Sequence, residues 1–350
     1  MATSGFLTHI YAPLPRVKCS ECGVKTVEIP WATKGSGFTL LFEAWAVQLA
    51  QEMTVLAASR ELRISDDRLW RLLRRTVDRA MANQDLSRVR SVAIDETSWR
   101  KGHKYVTFVF DYDTKKLIFG VEGKGSDTLK KFAEHLESHG GQVQRIVEFC
   151  CDMSPAFIKG IGENFPKASI TFDKFHVIKA ANEALNKVRV RESKETPELK
   201  GTRWAFMKRE GNLTDREKES LKKVSLSKKR LQTGKAYRLK TILQEILDAG
   251  STLTLSDARG QLKGWCRWAL TCRIPEMKEV AMMIKRHMDG ILRWFHSRMT
   301  NGLLEGYNSV LRAGRGMARG FRTSVNVILK SLLTAGKLDF GFPQNVWNQL

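Results

Sequence analysis

Apolar residues in the middle of the chain follow two different periods, which predict strands alternating with helices. Runs rich in Val, Ile and Phe occur in "SVAID", "YVTFVFDYD" and "KLIFGVEG" and predict three consecutive strands. The stretch "SDTLKKFAEHLESHGG" then has the spacing of an amphipathic helix that ends at Gly-Gly. After it, "RIVEFCCD", "SPAFIKGIGENF" and "SITFDKFHVI" predict strand, helix and strand. The predicted order is βββαβαβ, a mixed sheet of the α/β class.

This order is that of a ribonuclease-H-like core, and the pattern around it divides the rest of the chain. The sequence before the core is a polar leader followed by an amphipathic helical region, and the sequence after its last strand is mostly helical. We read the long helical stretch as an insertion that splits the core. Its tryptophans are expected as core residues, with base-stacking platforms as the alternative: Trp204, Trp265, Trp268 and Trp294. The predicted divisions are 1–37 (leader), 38–86 (helical region), 87–178 (first part of the core), 179–298 (all-helical insertion) and 299–340 (second part of the core).

The helical region resembles a helix-turn-helix. "TVLAASRELRISDDRLWRLLRR" breaks into two short amphipathic pieces, and Ser65 or Asp66 would cap the second by accepting a bond from a free backbone N–H. An ordinary helical hairpin with a solvated basic face is the alternative. The basic residues expected to face a DNA groove are Arg68, Arg71, Arg74 and Arg75.

The charge of the chain favours a polyanionic partner. Its 59 Lys and Arg against 37 Asp and Glu give a formal net charge of +22, and neutralising phosphates releases counterions. Nucleic acid is therefore expected, with an anionic membrane surface as the alternative. We expect no membrane span, because no apolar run approaches about 20 residues. The start lacks a secretory signal, so the six cysteines are expected as thiols or metal ligands in a reducing cytoplasm.

Three acidic residues stand where a catalytic site is expected. Asp95 ends the first strand and Asp152 ends another, just before a helix that starts at Ser154-Pro155, and ligands bind beyond the carboxyl ends of parallel strands. Glu305 falls on a predicted helix, in one polar stripe with Asn301, Asn308 and Arg312. Converging carboxylates repel one another unless a cation lies between them, and oxygen ligands suit Mg²⁺ or Mn²⁺. For each acid alone, a capping or turn role is the alternative.

Four blocks, in this order, resemble the ISL-three-type bacterial insertion-sequence transposases of the DDE superfamily. They are "SVAIDETSWRKGHKYVTFVFDYDT", "CCDMSPAFIKGIGENFPKASITFDKFHVIKAANEALNKVR", "RWAFMK" and "NGLLEGYNSVLRAGRGMARGF". The resemblance implies that Asp95, Asp152 and Glu305 are the DDE triad and that a helical domain precedes the glutamate. Asp173 and His176 match the Asp/Cys-x-x-His motif of related transposases. Asp173 is the rival of Asp152 as second metal ligand, and His176 is either a DNA contact or a structural histidine.

The same resemblance bears on DNA contacts and zinc. Arginines after Glu305 are expected to hold the phosphate backbone of the transposon end. The family usually carries a zinc ribbon with two Cys pairs, whereas "VKCSECG" supplies only Cys19 and Cys22, so the leader is interpreted as a remnant and zinc binding stays open. The arginines concerned are Arg312, Arg315, Arg319 and Arg322.

The function expected from these features is a Mg²⁺-dependent DNA transposase. It would bind the terminal inverted repeats of its element, cut at the ends and join the 3′ hydroxyls to target DNA. Acting on two ends implies at least a homodimer on double-stranded DNA, at the nucleoid in the bacterial cytoplasm. The alternatives are a non-catalytic DNA-binding regulator derived from a truncated transposase, and a ribonuclease-H-like nuclease that cuts without joining.

Overall fold

Short hairpins and three helices precede the central sheet. The computed structural model describes residues 2–3, 6–7, 11–225 and 231–342. The four N-terminal strands form two antiparallel hairpins. They are β1 (Ala2–Thr3), β2 (Phe6–Leu7), β3 (Arg16–Cys19) and β4 (Gly23–Thr26).

The predicted helical region forms α1 (Leu40–Glu52), α2 (Val55–Glu61) and α3 (Asp66–Ala82). A Thr or Ser side chain caps each helix by accepting a hydrogen bond from the backbone N–H three residues on, and for α3 this residue is Ser65. Leucines and other apolar residues of α3 pack inward, while Arg68, Arg71 and Arg74 are exposed. The break between α2 and α3 lies where the sequence predicts it.

Five strands form the central mixed sheet. Along the sheet the order is β7-β6-β5-β8-β9, in which β7, β6 and β5 are antiparallel neighbours and β5, β8 and β9 run parallel. The strands are β5 (Ser91–Arg100), β6 (Lys104–Asp111), β7 (Lys116–Glu122), β8 (Glu148–Cys151) and β9 (Ser169–Phe172). Between them lie α4 (Asp127–Ser138) and α5 (Pro155–Asn164), so the element order is the predicted βββαβαβ.

Strand β5 is longer than predicted. The sequence predicts that it stops at Asp95, but it continues to Arg100 because β6 pairs with it along its whole length. Pairing with β8 covers only Ser91 to Ala93. Beyond that point one side of β5 is open, which allows polar residues into the strand.

The helical segment begins earlier than predicted. Strand β9 ends at Phe172, and α6 (Lys174–Glu192) starts directly after Asp173, whose carboxylate caps it. The strand predicted over "SITFDKFHVI" is therefore too long, because the Asp173 cap starts a helix directly after Phe172. The further helices are α7 (Arg203–Met207), α8 (Asp215–Ser225), α9 (Gln232–Ala249), α10 (Leu255–Thr271), α11 (Pro275–Arg286) and α12 (Met288–Ser297).

The insertion packs back onto the sheet through α12. Gly290 lies against β9, where an added Cβ would meet the Phe172 ring at 2.5 Å, so glycine permits this close approach. Trp265 and Trp294 are buried as predicted and Trp268 is half-buried, but Trp204 is 59% exposed. The one-turn helix α7 buries Ala205 and Phe206, whereas Trp204 lies at the surface with the Arg203 guanidinium over its ring.

Two further helices follow, α13 (Gly302–Met317) and α14 (Ser324–Ala335). Each face of the sheet has its own hydrophobic core. Helices α4 and α5 and the insertion cover one face, and α1 to α3, α13 and α14 cover the other. None of the described helices is long and apolar enough to cross a membrane. All six cysteines are free thiols.

Candidate active site and nucleic-acid interface

Three aspartates lie in one row at the carboxyl end of the parallel strands. Ala93 pairs with Cys150, and Cys150 pairs with Thr171. Asp95, Asp152 and Asp173 lie two residues after Ala93, Cys150 and Thr171, respectively. Neighbouring strands are about 4.8 Å apart, so this register gathers three carboxylates at one edge of the sheet.

Asp95 is held by hydrogen bonds on both of its carboxylate oxygens. Its Oδ1 accepts the backbone N–H of Glu96 at 2.8 Å, and its Oδ2 accepts the side-chain amide of Asn308 at 2.6 Å. Asn308 belongs to α13, so the helix and the strand are joined at this carboxylate. Asn301, which precedes α13, donates from Nδ2 to the carbonyl oxygen of Ile94 at 3.1 Å. Two asparagines of the predicted polar stripe therefore fasten α13 along β5.

Asp152 lies in the tight connection before α5, as predicted. Its Oδ1 accepts the backbone N–H of Ser154 at 2.9 Å, and Pro155 opens the helix. The residue is half-buried, so its carboxylate borders solvent. Asp173 differs from it in being fully buried, with both oxygens accepting backbone N–H groups.

Burial and neighbouring negative charges together raise pKa values at this edge of the sheet. Burial raises the pKa of Glu96, and the charges of Asp152 and Asp95 add to the rise while Lys124 opposes it. Burial likewise raises the pKa of the Cys151 thiol well above its usual range, with Asp152 and Asp95 contributing. The charges of Asp95 and Asp152 thus raise the pKa of the same two neighbours, Glu96 and Cys151. Sequence reasoning missed Glu96 as a member of this cluster, although it directly follows Asp95.

Glu305 belongs to α13, as predicted, four residues after Asn301 and three before Asn308. Its side chain lies outside what the structure describes. The helix around it is fixed from another side as well, because Tyr307 packs edge-on against Phe108 and Phe110 of β6, with ring centroids 5.9 and 5.3 Å apart.

The donor chemistry at the edge suits a hard divalent cation. Among the described side chains, no group of three or more His, Cys, Asp or Glu is arranged to hold a metal ion. The half-buried carboxylates of Asp95 and Asp152 nevertheless offer oxygen ligands. Their charges add to the rise in the pKa of Glu96 that burial causes. Nearby, the buried Oδ1 of Asn301 has no hydrogen-bond partner within the described residues. A cation with its water shell is compatible with these features.

The predicted arginines of α3 fall into two groups. Arg68, Arg71 and Arg74 are exposed, with Arg68 stacked over the Phe38 ring at 4.8 Å. Arg75 is instead bound at 2.5 Å to Glu43, whose side chain is fully buried in α1. Its guanidinium therefore has a structural partner that the helix pattern alone did not indicate.

A basic groove runs between α1–α2 and α13. Its volume is about 1690 Å³. All four arginines predicted after Glu305 line it: Arg312, Arg315, Arg319 and Arg322. Arg315 donates to the carbonyl oxygen of Ser98 at 2.8 Å, and Arg322 lies 3.7 Å from Asp66, at the start of α3. The groove therefore connects the helix-turn-helix with the helix that carries Glu305.

Four further cations line the groove, and sequence reasoning did not include them. Arg60 comes from α2, Arg100 ends β5, Lys101 follows it in the turn, and Lys330 comes from α14. The basic turn "RKGHK" was the available signal.

The remaining predicted residues occupy separate places. His176 is half-buried in the first turn of α6, where its backbone N–H bonds to the carbonyl oxygen of Asp173 at 3.1 Å. Cys19 and Cys22 lie at the tip of the β3–β4 hairpin, where a hydrogen bond with Cys22 lowers the pKa of Cys19. Two cysteines make half of a tetrahedral zinc site.

Comparison with known proteins identifies the family of the chain. Residues 92–331 match a family profile described as transposase, of the ISL3 type with a DDE domain, and residues 27–77 match the helix-turn-helix domain of transposase family ISL3. The chain is 28% identical to the transposase for insertion sequence element IS1557 of Mycobacterium tuberculosis, over 92% of this chain and 78% of the relative. It is 25% identical to the transposase for IS1001 of Bordetella parapertussis, over 92% and 80%.

These matches define a DNA transposition enzyme with a helix-turn-helix DNA-binding domain. The chain belongs to the ISL3 family of insertion-sequence transposases.

Proposed function

We propose that this protein binds the terminal inverted repeats of its own element, cuts DNA at those ends and joins the freed 3′ hydroxyls to target DNA. The observation that carries the proposal is the alignment of Asp95 and Asp152 at one sheet edge, with α13 hydrogen-bonded to Asp95 through Asn308. The order of the strands is compatible with a ribonuclease-H-like core, the fold that the proposal assumes.

In this proposal Asp95, Asp152 and Glu305 hold a divalent metal ion, Mg²⁺ or Mn²⁺. When bound, the metal supplies positive charge that activates the attacking oxygen and stabilises the leaving one. The chain contributes the geometry. Asn308 orients the Asp95 carboxylate, and the Ser154 N–H orients that of Asp152, so neither has to be ordered when DNA binds. Lys124 balances part of the negative charge.

The DNA is proposed to enter along the basic groove. Exposed arginines of α3 would contact one stretch of the duplex, and Arg312, Arg315 and Arg319 would hold the backbone near the scissile phosphate. Such contacts position the DNA, whereas base contacts give sequence specificity. Because the groove reaches from α2 to α13, one transposon end would contact the recognition helix and the acidic edge together.

A transposase must bring two ends together, so we propose that at least two copies act on DNA. The proposal also puts the protein at the nucleoid, where its substrate is. Zinc at Cys19 and Cys22 would require two further ligands and is not needed for the proposed chemistry.

The experiment is end cleavage of a labelled duplex carrying the element's end and flanking DNA. Wild type is compared with Asp95→Asn, Asp152→Asn and Glu305→Gln, in Mg²⁺, in Mn²⁺ and in EDTA. Asp127→Asn is the matched control, because the Asp127 side chain is 64% exposed in the first turn of α4. We expect metal-dependent cleavage at the end by wild type and by the control, and none by the other three variants.

Two results would contradict the proposal. Binding of the end without cleavage by wild type in either metal would favour a DNA-binding regulator. Cleavage by Asp152→Asn at the wild-type rate would remove Asp152 from the site.

A further inference from the structure

Asp173 makes an unusual pair of contacts at the carboxyl end of β9. Its Oδ1 accepts the backbone N–H of Phe175 at 3.1 Å and so caps α6. Its Oδ2 accepts the backbone N–H of Asn301 at 3.1 Å, directly before α13 and 128 residues further along the chain. One carboxylate therefore satisfies N–H groups at the starts of two helices.

These two helices are where the insertion leaves the core and where the chain returns to it. The chain leaves β9 through α6 and comes back along α12, which crosses β9 at Gly290. The next helix, α13, carries Glu305. Asp173 thus fastens the departing and returning segments at one point.

The surroundings of Asp173 favour a structural anion. The residue has no exposed surface, and a buried carboxylate is tolerated when hydrogen bonds and helix dipoles stabilise its charge. A ligand of a catalytic metal must also leave room for water and phosphate around the ion. Half-buried Asp152 has that access, whereas the two Asp173 oxygens face backbone N–H groups.

The contact continues toward the proposed metal ligands. The backbone N–H of Asn301 donates to Asp173. The side-chain amide of Asn301 donates to the carbonyl oxygen of Ile94, the residue before Asp95. Two helical turns later, Asn308 donates to Asp95 itself. A shift of the α13 start would therefore move every residue that follows on this helix relative to Asp95.

We infer that Asp173 is a positioning residue that fastens the start of α13, and thereby Glu305, to the sheet edge, and that it is not a metal ligand. The inference rests on the proposed function in taking α13 as the helix with a metal-binding carboxylate. It assigns the metal to Asp152 in preference to Asp173.

Two readouts test the inference on the whole protein. One is hydrogen exchange of the amides in the first two turns of α13, and the other is Mn²⁺ affinity, measured by calorimetry without DNA. Asp173→Ala removes both hydrogen bonds, and Asp173→Asn keeps the shape and one acceptor as a safeguard against misfolding. Thr254→Ala is the matched control, because Thr254 caps α10 within the insertion.

We expect Asp173→Ala to speed exchange at the start of α13 by about tenfold or more and Asp173→Asn to speed it less. Mn²⁺ affinity of Asp173→Asn should stay within about threefold of wild type, whereas Asp152→Asn should lose at least about tenfold. Thr254→Ala should change exchange in α10 alone.

A tenfold loss of Mn²⁺ affinity in Asp173→Asn, or unchanged α13 exchange in Asp173→Ala, would overturn the inference. If wild type binds no Mn²⁺, the proposed function fails, but the exchange experiment still decides whether Asp173 fastens α13.

Discussion

The side-chain amide of Asn308 donates a 2.6 Å hydrogen bond to Oδ2 of Asp95, which joins residues 213 positions apart. The bond connects α13 to β5. It fixes the rotamer of a carboxylate that is proposed to hold a metal. The orientation of the Asp95 carboxylate therefore depends on Asn308, a neutral residue.

Replacing Asn308 with alanine should impair catalysis more than folding. The variant removes the Asn308 hydrogen bond to Oδ2 of Asp95. We therefore expect end cleavage to fall by about tenfold to a hundredfold and the required Mg²⁺ concentration to rise. Single-turnover cleavage across a Mg²⁺ series measures both. Asn164→Ala is the control, because Asn164 bonds only to the Gly160 carbonyl oxygen among its described contacts on α5. Equal cleavage by both variants would disprove the role given to Asn308.

The sequence predicts the order of the core elements, but not the contacts that assemble the site. Periodicity is local, so it finds β5 and α13 separately and places Asn301 and Asn308 on one helical stripe. Their partners on β5 depend on where α13 docks, which is a tertiary property. The predicted end of β5 at Asp95 is wrong for the same reason. Pairing with β6, a tertiary property, extends the strand to Arg100.

Arg75 should matter for stability. Its guanidinium pairs with fully buried Glu43, so Arg75→Met leaves a buried charge without that partner and should cost about 3 kcal/mol of unfolding free energy. Adding Glu43→Gln should recover part of the loss, because the buried charge is then absent. Urea unfolding of the single and double variants measures the coupling. Additive effects of the two changes would contradict this role.

Arg71 is expected to act on DNA. The residue is exposed on α3, and its Nε donates to the carbonyl oxygen of Asp67 one turn earlier. Arg71→Ala should weaken end binding and lower the slope of log affinity against log salt by about one, with unfolding unchanged. Fluorescence anisotropy at several salt concentrations measures the slope. Arg145→Ala, at an exposed arginine before β8, should leave it unaltered.

Such a division among the arginines of α3 follows from packing. All four are basic and close in sequence, so a helical pattern treats them alike. Only the docking of α1 brings Glu43 beside Arg75 and leaves Arg71 and Arg74 at the surface. The arginines after Glu305 were predicted as a group and do line one groove, because they lie on or just after a single helix.

His135 should make stability fall on acidification. Burial, with the neighbouring His139, lowers its pKa from 6.5 to about 4. Between these values the unfolded state binds more protons than the folded state, so the contribution is complete above pH 6.5 and is lost as pH falls toward 4. Thermal melts of wild type and His135→Gln should therefore differ most near neutral pH and converge in acid. His103→Gln, in the exposed β5–β6 turn, is the control. A Tm difference that is constant with pH would contradict the prediction.

The most direct test of the central claim is strand transfer. Pre-cut transposon ends with free 3′ hydroxyls are incubated with supercoiled plasmid, Mg²⁺ and either wild type or Asp152→Asn, and covalently joined products are counted by sequencing. We predict joined ends with wild type, and none with the variant or in EDTA. Cleaved plasmid without joined ends from wild type would contradict the account and indicate a nuclease.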